Sequence, residues 1–452
     1  MLASLRAFLR CPTATFRSNG QRRGMEAVIT GDCHTAIVLP TNGGKSMLWT
    51  LSSAHYDDAT AISVVFVPWI VLALSHLRSC VKAGISASLW TKESPVFSSV
   101  TFVLPESGSS DSFHAGLREL SATGRLKRFF IDEVHAWIMD QDYRPAFLDA
   151  SSLVAYAKPI HMLSATIPMD VFRDALVLLR VADVAAPVVI RERSIRPSIR
   201  YSVVYLCQSD FLGYIITAAQ RLLTLPEHRA IVFVRTIDEA VAVANSLGCL
   251  AFHSKLSPHD RDGTLKTWET GGTRILVATT LLSTGFHLPG VRLVVEYGAS
   301  WNYITHAQGT GRGGRDDHYC EAITLLDRRA NYTVRRPDLY GHQEMMDCFM
   351  DTSQCLRYGI SLYLDGFGER CNDLPLEFVP CSRCEQEHPV QSQSGTYNLR
   401  PAPLRELSVS LVEPQCPQTN VILRVNAELV AIQEQDRLRA HIYLKERLDT
   451  LT

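Results

Sequence analysis

Residues 39–46 read Leu-Pro-Thr-Asn-Gly-Gly-Lys-Ser and lie between an apolar run and an amphipathic stretch of helical length. Small residues there let successive backbone N–H groups turn inward and cradle phosphate oxygens at a helix N-terminus. Thr41, Gly43 and Gly44 supply that freedom, Lys45 reaches the β- and γ-phosphates of a nucleotide, and Ser46 ligates Mg²⁺. The strict pattern begins with Gly or Ala, where this chain has Leu39. A second segment, Asp132-Glu133-Val134-His135, follows the apolar run 129–131. A carboxylate at a strand end beside a phosphate loop gives Mg²⁺ another protein contact, which suits Asp132, and Glu133 is placed to polarise an attacking water. Ser164-Ala165-Thr166 closes a further apolar run. Phosphate loop, acidic box and hydroxyl pair occur in the order expected of a motor that couples a nucleotide site to a polymer site.

In the second half, residues 308–316 read Gln-Gly-Thr-Gly-Arg-Gly-Gly-Arg-Asp. Two arginines three apart on a Gly-rich turn project to one side across an interface. Arg315 then serves as an arginine finger on the γ-phosphate with Arg312 in support, the plainer reading being a basic loop on polymer phosphates. Further on, Cys355, Cys371, Cys381 and Cys384 end in a Cys-x-x-Cys turn. Four such thiolates make a tetrahedral, structural Zn²⁺ site with no open position, and Cys348 and His388 are bystanders. The other eight of the twelve cysteines are scattered, as free thiols are in a reducing compartment.

The elements that position these groups follow from periodicity. Short apolar runs at 35–39, 63–67, 128–131 and 160–163 are separated mostly by stretches of helical length, and a second series occupies 230–234, 274–278, 291–296 and 322–326. Such alternation indicates βα units and parallel sheets. The predicted fold is α/β, two RecA-like parallel-sheet lobes followed by a small helical zinc-binding module. The expected domains are 1–197, 198–340 and 341–390, with a linker and C-terminal helix over 391–452. The first 25 residues contain five arginines and no acid. They read as an ordinary helix of the first lobe, with a mitochondrial transit peptide as the alternative. No run supplies the roughly 18 apolar residues of a membrane helix. A net charge of −1 neither indicates nor excludes a nucleic-acid partner.

Phe16-Arg17 with Gln21, the phosphate loop, Asp-Glu-x-His and Ser-Ala-Thr together resemble the first lobe of RecQ-family superfamily-2 helicases. The resemblance runs over about residues 5–388 and includes Cys355-Leu356-Arg357 with Phe367-Gly368-Glu369, similar to the start of the family's zinc-binding domain. It implies that Gln21 reads adenine and that the stretch Asp142-Tyr143-Arg144-Pro145-Ala146-Phe147 corresponds to an aromatic-rich loop sensing single-stranded DNA. Trp137, Tyr143 and Phe147 offer π-faces for bases, or else are core. Residues 278–287, with Thr279 and Ser283, resemble a motif whose small residues let the backbone approach nucleic-acid phosphate.

This chain departs from the family at Ser198 (usually Asn), His287 (usually an acid) and Gly309 (commonly Glu). The residues after 388 are too few for a winged-helix domain, as in short fungal-type RecQ-like proteins. The resemblance implies an ATP- and Mg²⁺-dependent 3′–5′ DNA helicase or translocase, acting as a monomer on single-stranded and duplex DNA in the nucleus. The alternative is a catalytically decayed copy that only binds nucleic acid or a partner.

Overall fold

The computed structural model describes residues 1–385 except 32, 141–143, 182–185, 284–289, 331 and 333–339, and only the backbone of Pro145, Leu148 and Ser283. Tyr143, His287, the Ser283 side chain and the expected linker and C-terminal helix therefore lie outside the described residues.

The chain opens with α1 (Leu2–Leu9) and α2 (Asn19–Thr30), then β1 (Thr35–Val38), α3 (Met47–His55), β2 (Ile62–Phe66), α4 (Ile70–Lys82), β3 (Ala87–Leu89) and β4 (Val100–Val103). After α5 (Pro105–Gly108) and α6 (Asp111–Ala122) come β5 (Leu126–Ile131), α7 (Val134–Met139), a 3₁₀ stretch (Pro145–Tyr156), β6 (Ile160–Ser164), α8 (Met169–Leu178) and β7 (Val188–Arg191). The seven strands pair in parallel in the order β3-β4-β2-β5-β6-β1-β7. Helices cover both faces, so the central strands are buried on both sides, and alternate residues serve opposite cores. In β5, Phe130 belongs to a core shared with Met25, Trp49 and Leu72 from α2, α3 and α4, its ring 5.9 Å from that of Trp49. Its neighbour Phe129 joins Phe113, Trp137 and Phe172 on the other face. Helix α1 belongs to this lobe: Leu5 is buried and Tyr56 Oη donates to Ser4 Oγ at 3.0 Å.

The second sheet is built from β8 (Ile199–Leu206), α9 (Phe211–Leu222), β9 (Arg229–Phe233), α10 (Ile237–Leu247), β10 (Leu250–Phe252), α11 (Pro258–Glu269), β11 (Ile275–Ala278), β12 (Val291–Tyr297), α12 (Tyr303–Thr310) and β13 (Cys320–Asp327). Its six parallel strands run in the order β10-β11-β9-β12-β13-β8. All eight apolar runs read from the sequence are strands. The edge strands β3, β7 and β10 were not foreseen, being three or four residues long and half exposed in part, nor were β4 and β8. Sheet one ends at Arg191 and sheet two begins at Ile199.

Helices α13 (His342–Met350) and α14 (Leu356–Asp365) precede the last cysteines. Arg357 at the start of α14 is fully buried. It donates to the carbonyls of Arg196 (2.9 Å), Ile199 (2.6 Å) and Val379 (2.7 Å), tying this module to the connection between the sheets. Ser194 of that connection donates from N and Oγ to Asp365 at 2.9 and 2.7 Å. No helix among the described residues is long and apolar enough to cross a membrane.

Candidate active site

Strand β1 delivers residues 40–46 to the carboxyl edge of the first sheet, where the loop turns into α3. Gly44 has φ +81°, a left-handed conformation, and a Cβ there would stand 2.2 Å from Gln21 Nε2, so only glycine fits. Both ends of the buried Gln21 amide are engaged: Oε1 accepts from Arg17 N at 2.7 Å and Nε2 donates to the Gly44 carbonyl at 3.2 Å. Arg17 Nη1 donates to the Asn42 carbonyl at 2.6 Å. In this state Gln21 and Arg17 therefore hold the loop's shape. The Ser46 hydroxyl makes no capping bond to α3, and Lys45 Nζ lies 4.0 Å from Glu133 Oε1.

The acidic box sits at the end of β5. Asp132 is 3% exposed, and its Oδ2 accepts from His76 Nε2 of α4 at 3.1 Å. Its Oδ1 is buried and has no hydrogen-bond partner among the described residues. An orphaned carboxylate oxygen is costly unless a cation takes it. A buried carboxylate oxygen of this kind suits Mg²⁺, a hard ion that prefers oxygen ligands. Glu133 has φ +46°, sparsely populated for a residue with a side chain. His135 is buried, and burial lowers its pKa, favouring the neutral ring. Its Nδ1 meets Ser164 Oγ at 2.9 Å, and that oxygen accepts from Thr166 N at 3.2 Å.

The second lobe closes on this edge. Gln308 of α12 reaches across to His135 Nε2 and lies 3.5 Å from Thr166 Oγ1. With the Gln308 amide donating, the imidazole accepts at Nε2 and donates from Nδ1 to Ser164, as a neutral ring must. Asn42 Nδ2 donates to the Arg315 carbonyl, and a Cβ on Gly311 would come 3.2 Å from Thr41 Oγ1. Burial pushes the Arg312 guanidinium down to about 10 while Glu133 opposes the shift. Burial, Arg312 and Arg196 together hold Arg315 well below its ordinary value, again opposed by Glu133. Arg196 grips the same turn from beneath, donating to the Gly313 carbonyl at 2.8 Å and to that of Gly314. Two buried guanidiniums facing one carboxylate, with a third, Arg196, behind them, are an electrostatic arrangement suited to a polyphosphate. The sequence reading gave no role to His76, Gln308 or the Arg196 clamp. Gln308 begins the Gly-Arg-rich stretch, but nothing local to the sequence marks His76.

The aromatic assignments need correction. Trp137 and Phe147 are 1% and 0% exposed, their rings 4.8 Å apart, and Trp137 also meets Phe66 edge-on at 5.8 Å. In this conformation they are core, not stacking platforms. Arg144 lies 4.6 Å over Phe147 and forms a two-pronged pair with Glu106 at 2.8 Å, so its charge is already matched. Thr279 lies at the mouth of an interlobe cavity of ≈ 470 Å³. Trp69 lines it from the first lobe and Trp301 from the second. Trp301 is 51% exposed, and Arg235 sits 4.8 Å over its ring, held by the Ala299 carbonyl at 2.7 Å.

The Sγ atoms of Cys355, Cys371, Cys381 and Cys384 all lie within 4.8 Å of one another. Two of the separations from Cys355 are 3.6 Å (to Cys371) and 3.9 Å (to Cys381). Sulfurs bound tetrahedrally to Zn²⁺ at about 2.3 Å stand roughly 3.8 Å apart, so the four thiols fit the ion.

Two parallel-sheet lobes with a phosphate loop, an acidic box and an arginine turn facing one another define a helicase-type ATPase core. Residues 214–317 match the family model described as Helicase conserved C-terminal domain. The chain is 25% identical to rat ATP-dependent DNA helicase Q1 over 397 residues, 80% of this chain and 61% of that one. It is 23% identical to ATP-dependent DNA helicase RecQ of Pasteurella multocida, covering 82% of this chain and 61% of that one. With ATP-dependent helicase SGS1 of Saccharomyces cerevisiae the identity is 22%, over 71% of this chain and 23% of the relative. The chain thus spans about a quarter to three fifths of the length of these relatives. Similar solved folds include S. cerevisiae Dbp5 bound to RNA and ADP BeF3 (TM-score 0.58, 18% identity, 72% of this chain and 88% of that one). Another is the DUF1998 helicase MrfA bound to DNA (TM-score 0.60, 16% identity, 73% and 48%). On these matches the chain is similar to RecQ-type helicases over most of its length.

Proposed function

We propose that this chain is an ATP-dependent DNA helicase or translocase that hydrolyses ATP between its lobes and moves 3′ to 5′ on single-stranded DNA, opening duplex. The observation that carries the reading is the convergence of Lys45, Glu133, Arg312 and Arg315 from two lobes already bridged by His135 and Gln308. In this reading Lys45 and the loop amides hold the phosphates, Ser46 and Asp132 hold Mg²⁺, and Glu133 orients the attacking water. Arg312 and Arg315 neutralise charge on the transferred phosphoryl group. Mg²⁺ supplies charge neutralisation of the β- and γ-phosphates when bound. The likeness to the DNA helicases named above supports a preference for DNA, whereas the direction and a nuclear site of action rest on the family resemblance of the sequence motifs alone.

The test is ATP hydrolysis by the zinc-loaded protein with and without single-stranded DNA, beside Lys45→Ala. Turnover should rise with DNA and fall at least about a hundredfold in the variant, the scale of removing one phosphate-stabilising group. Turnover no higher than the variant's, with DNA still bound, would leave only a binding protein. If DNA and RNA stimulate equally, the DNA preference fails while the motor stands.

The strand in this reading crosses the cavity between Trp69 and Trp301, which takes over the role that the buried Trp137 and Phe147 do not serve. Base–aromatic stacking is worth about 1–3 kcal/mol per base. Trp301→Ala should therefore weaken binding of oligo-dT about tenfold by fluorescence anisotropy, with DNA-free ATP hydrolysis unchanged. Unaltered affinity would remove Trp301 from the strand's path.

A further inference from the structure

We propose that His76 is a positioning residue for the metal-binding carboxylate, fixing Asp132 through Oδ2 so that Oδ1 alone is presented to the ion. The inference rests on the nucleotide-site reading above and deepens it. Asp132 follows β5 at the sheet edge and is almost wholly buried, so its rotamer is decided by its neighbours. Among the described residues one oxygen is satisfied, by His76 Nε2 at 3.1 Å, while Oδ1 is buried and has no hydrogen-bond partner. A carboxylate accepts only, so the imidazole must donate from Nε2, which fixes the state of that nitrogen.

The imidazole is itself locked. Its ring stacks on Phe102 of β4 (centroids 5.9 Å apart, planes 22°) and meets Trp49 of α3 edge-on at 5.1 Å. Trp49 lies three residues after Ser46, on the helix that leaves the phosphate loop. His76 is thus wedged between that helix and the sheet, and its polar contact among the described residues goes to the carboxylate. Partners that hold a metal ligand from behind set its orientation and basicity, and losing one typically costs 10–100-fold in metal affinity. The helix that carries His76 begins just after Trp69, which lines the interlobe cavity. A single rigid element therefore reaches from the proposed strand path to the metal carboxylate, about 10 Å away at helical rise.

Two substitutions separate positioning from packing. His76→Phe keeps an aromatic ring against Phe102 and Trp49 but cannot donate, and His76→Gln keeps a donor at similar reach. The measurement is binding of Mn²⁺ to the full-length protein in the presence of ADP, followed by the electron paramagnetic resonance signal of free Mn²⁺. Binding of a fluorescent ADP analogue in EDTA and the thermal midpoint are recorded alongside. The Phe variant should bind Mn²⁺ at least about tenfold more weakly with metal-free nucleotide binding unchanged, and Gln should recover most of the loss. Equal Mn²⁺ affinity in parent and Phe variant overturns the proposal. So does a Gln variant as weak as Phe, or a loss mirrored in EDTA. A parent protein that binds no Mn²⁺ with ADP sinks the nucleotide-site reading as well, whereas normal parent binding with an indifferent Phe variant sinks His76 alone.

Discussion

Replacing Arg357 with alanine is expected to destabilise the chain by about 4 kcal/mol, the scale of breaking a buried charged network. Arg357 has no exposed surface and donates to the carbonyls of Arg196, Ile199 and Val379, while its guanidinium lies 5.2 and 5.3 Å over the rings of Tyr201 and Phe378. Deleting it takes a charged donor from three carbonyls, of which that of Arg196 keeps only a long bond from Ile199 N at 3.5 Å, and opens a cavity beside them. Methionine refills much of that volume and restores no hydrogen bond, so Arg357→Met should remain at least about 2 kcal/mol less stable than the parent. Urea unfolding followed by tryptophan fluorescence reads both. An alanine variant within about 1 kcal/mol of the parent would mean that the module contributes little to holding the connection. The consequence extends to the nucleotide edge, because the residue whose carbonyl Arg357 holds, Arg196, grips the carbonyls of Gly313 and Gly314 with its own side chain. Slackening at Arg357 should therefore also lower ATP turnover.

That chain of contacts explains why the sequence disclosed some of this molecule and concealed the rest. Strands buried on both faces are continuous apolar runs, so most of the interior of both sheets was legible, though not β4, whose run Thr101 interrupts, and contiguous segments such as residues 40–46, 132–135 and 308–316 stood out by their residue types. The short edge strands β3 and β10 have too few buried residues to stand out. Long-range partners have no local signature: His76 meets Asp132 across 56 positions, and Gln308 meets His135 across 173. The aromatics failed for a different reason. An exposed stacking residue and a core residue have the same side chain, and only packing distinguishes buried Trp137 from half-exposed Trp301.

Arg315→Ala should lower the rate of ATP hydrolysis about a thousandfold, the lower end of what an arginine finger supplies, with nucleotide affinity changed by less than about threefold. The large effect on turnover and small effect on binding follow from where charge develops. In the proposed mechanism a guanidinium aimed at the transferred phosphoryl group matters most in the transition state, while Lys45 and the loop amides would already hold the ground state. The geometry makes the comparison with Arg312 informative. Arg312 is 7% exposed, and Glu133 is the charged neighbour that opposes the lowering of its pKa by burial. In Arg315 that lowering is reinforced by Arg312 and Arg196, and its Nε also donates to the Gly311 carbonyl at 3.3 Å. Glu133 opposes the lowering at both arginines, so the difference lies in the two like charges at Arg315, which gains more from an arriving γ-phosphate. Arg312→Ala should thus cost less, about a hundredfold, partly by releasing Glu133. Single-turnover hydrolysis and fluorescent-nucleotide binding on both variants, with thermal midpoints as the folding control, read the difference. Because both residues act on one charge, the double variant should be little worse than Arg315→Ala alone. If Arg312→Ala is the more damaging, the two exchange roles. Losses that multiply would mean that the arginines act on separate steps, and equal losses in nucleotide binding would make them ground-state ligands rather than a finger and its support.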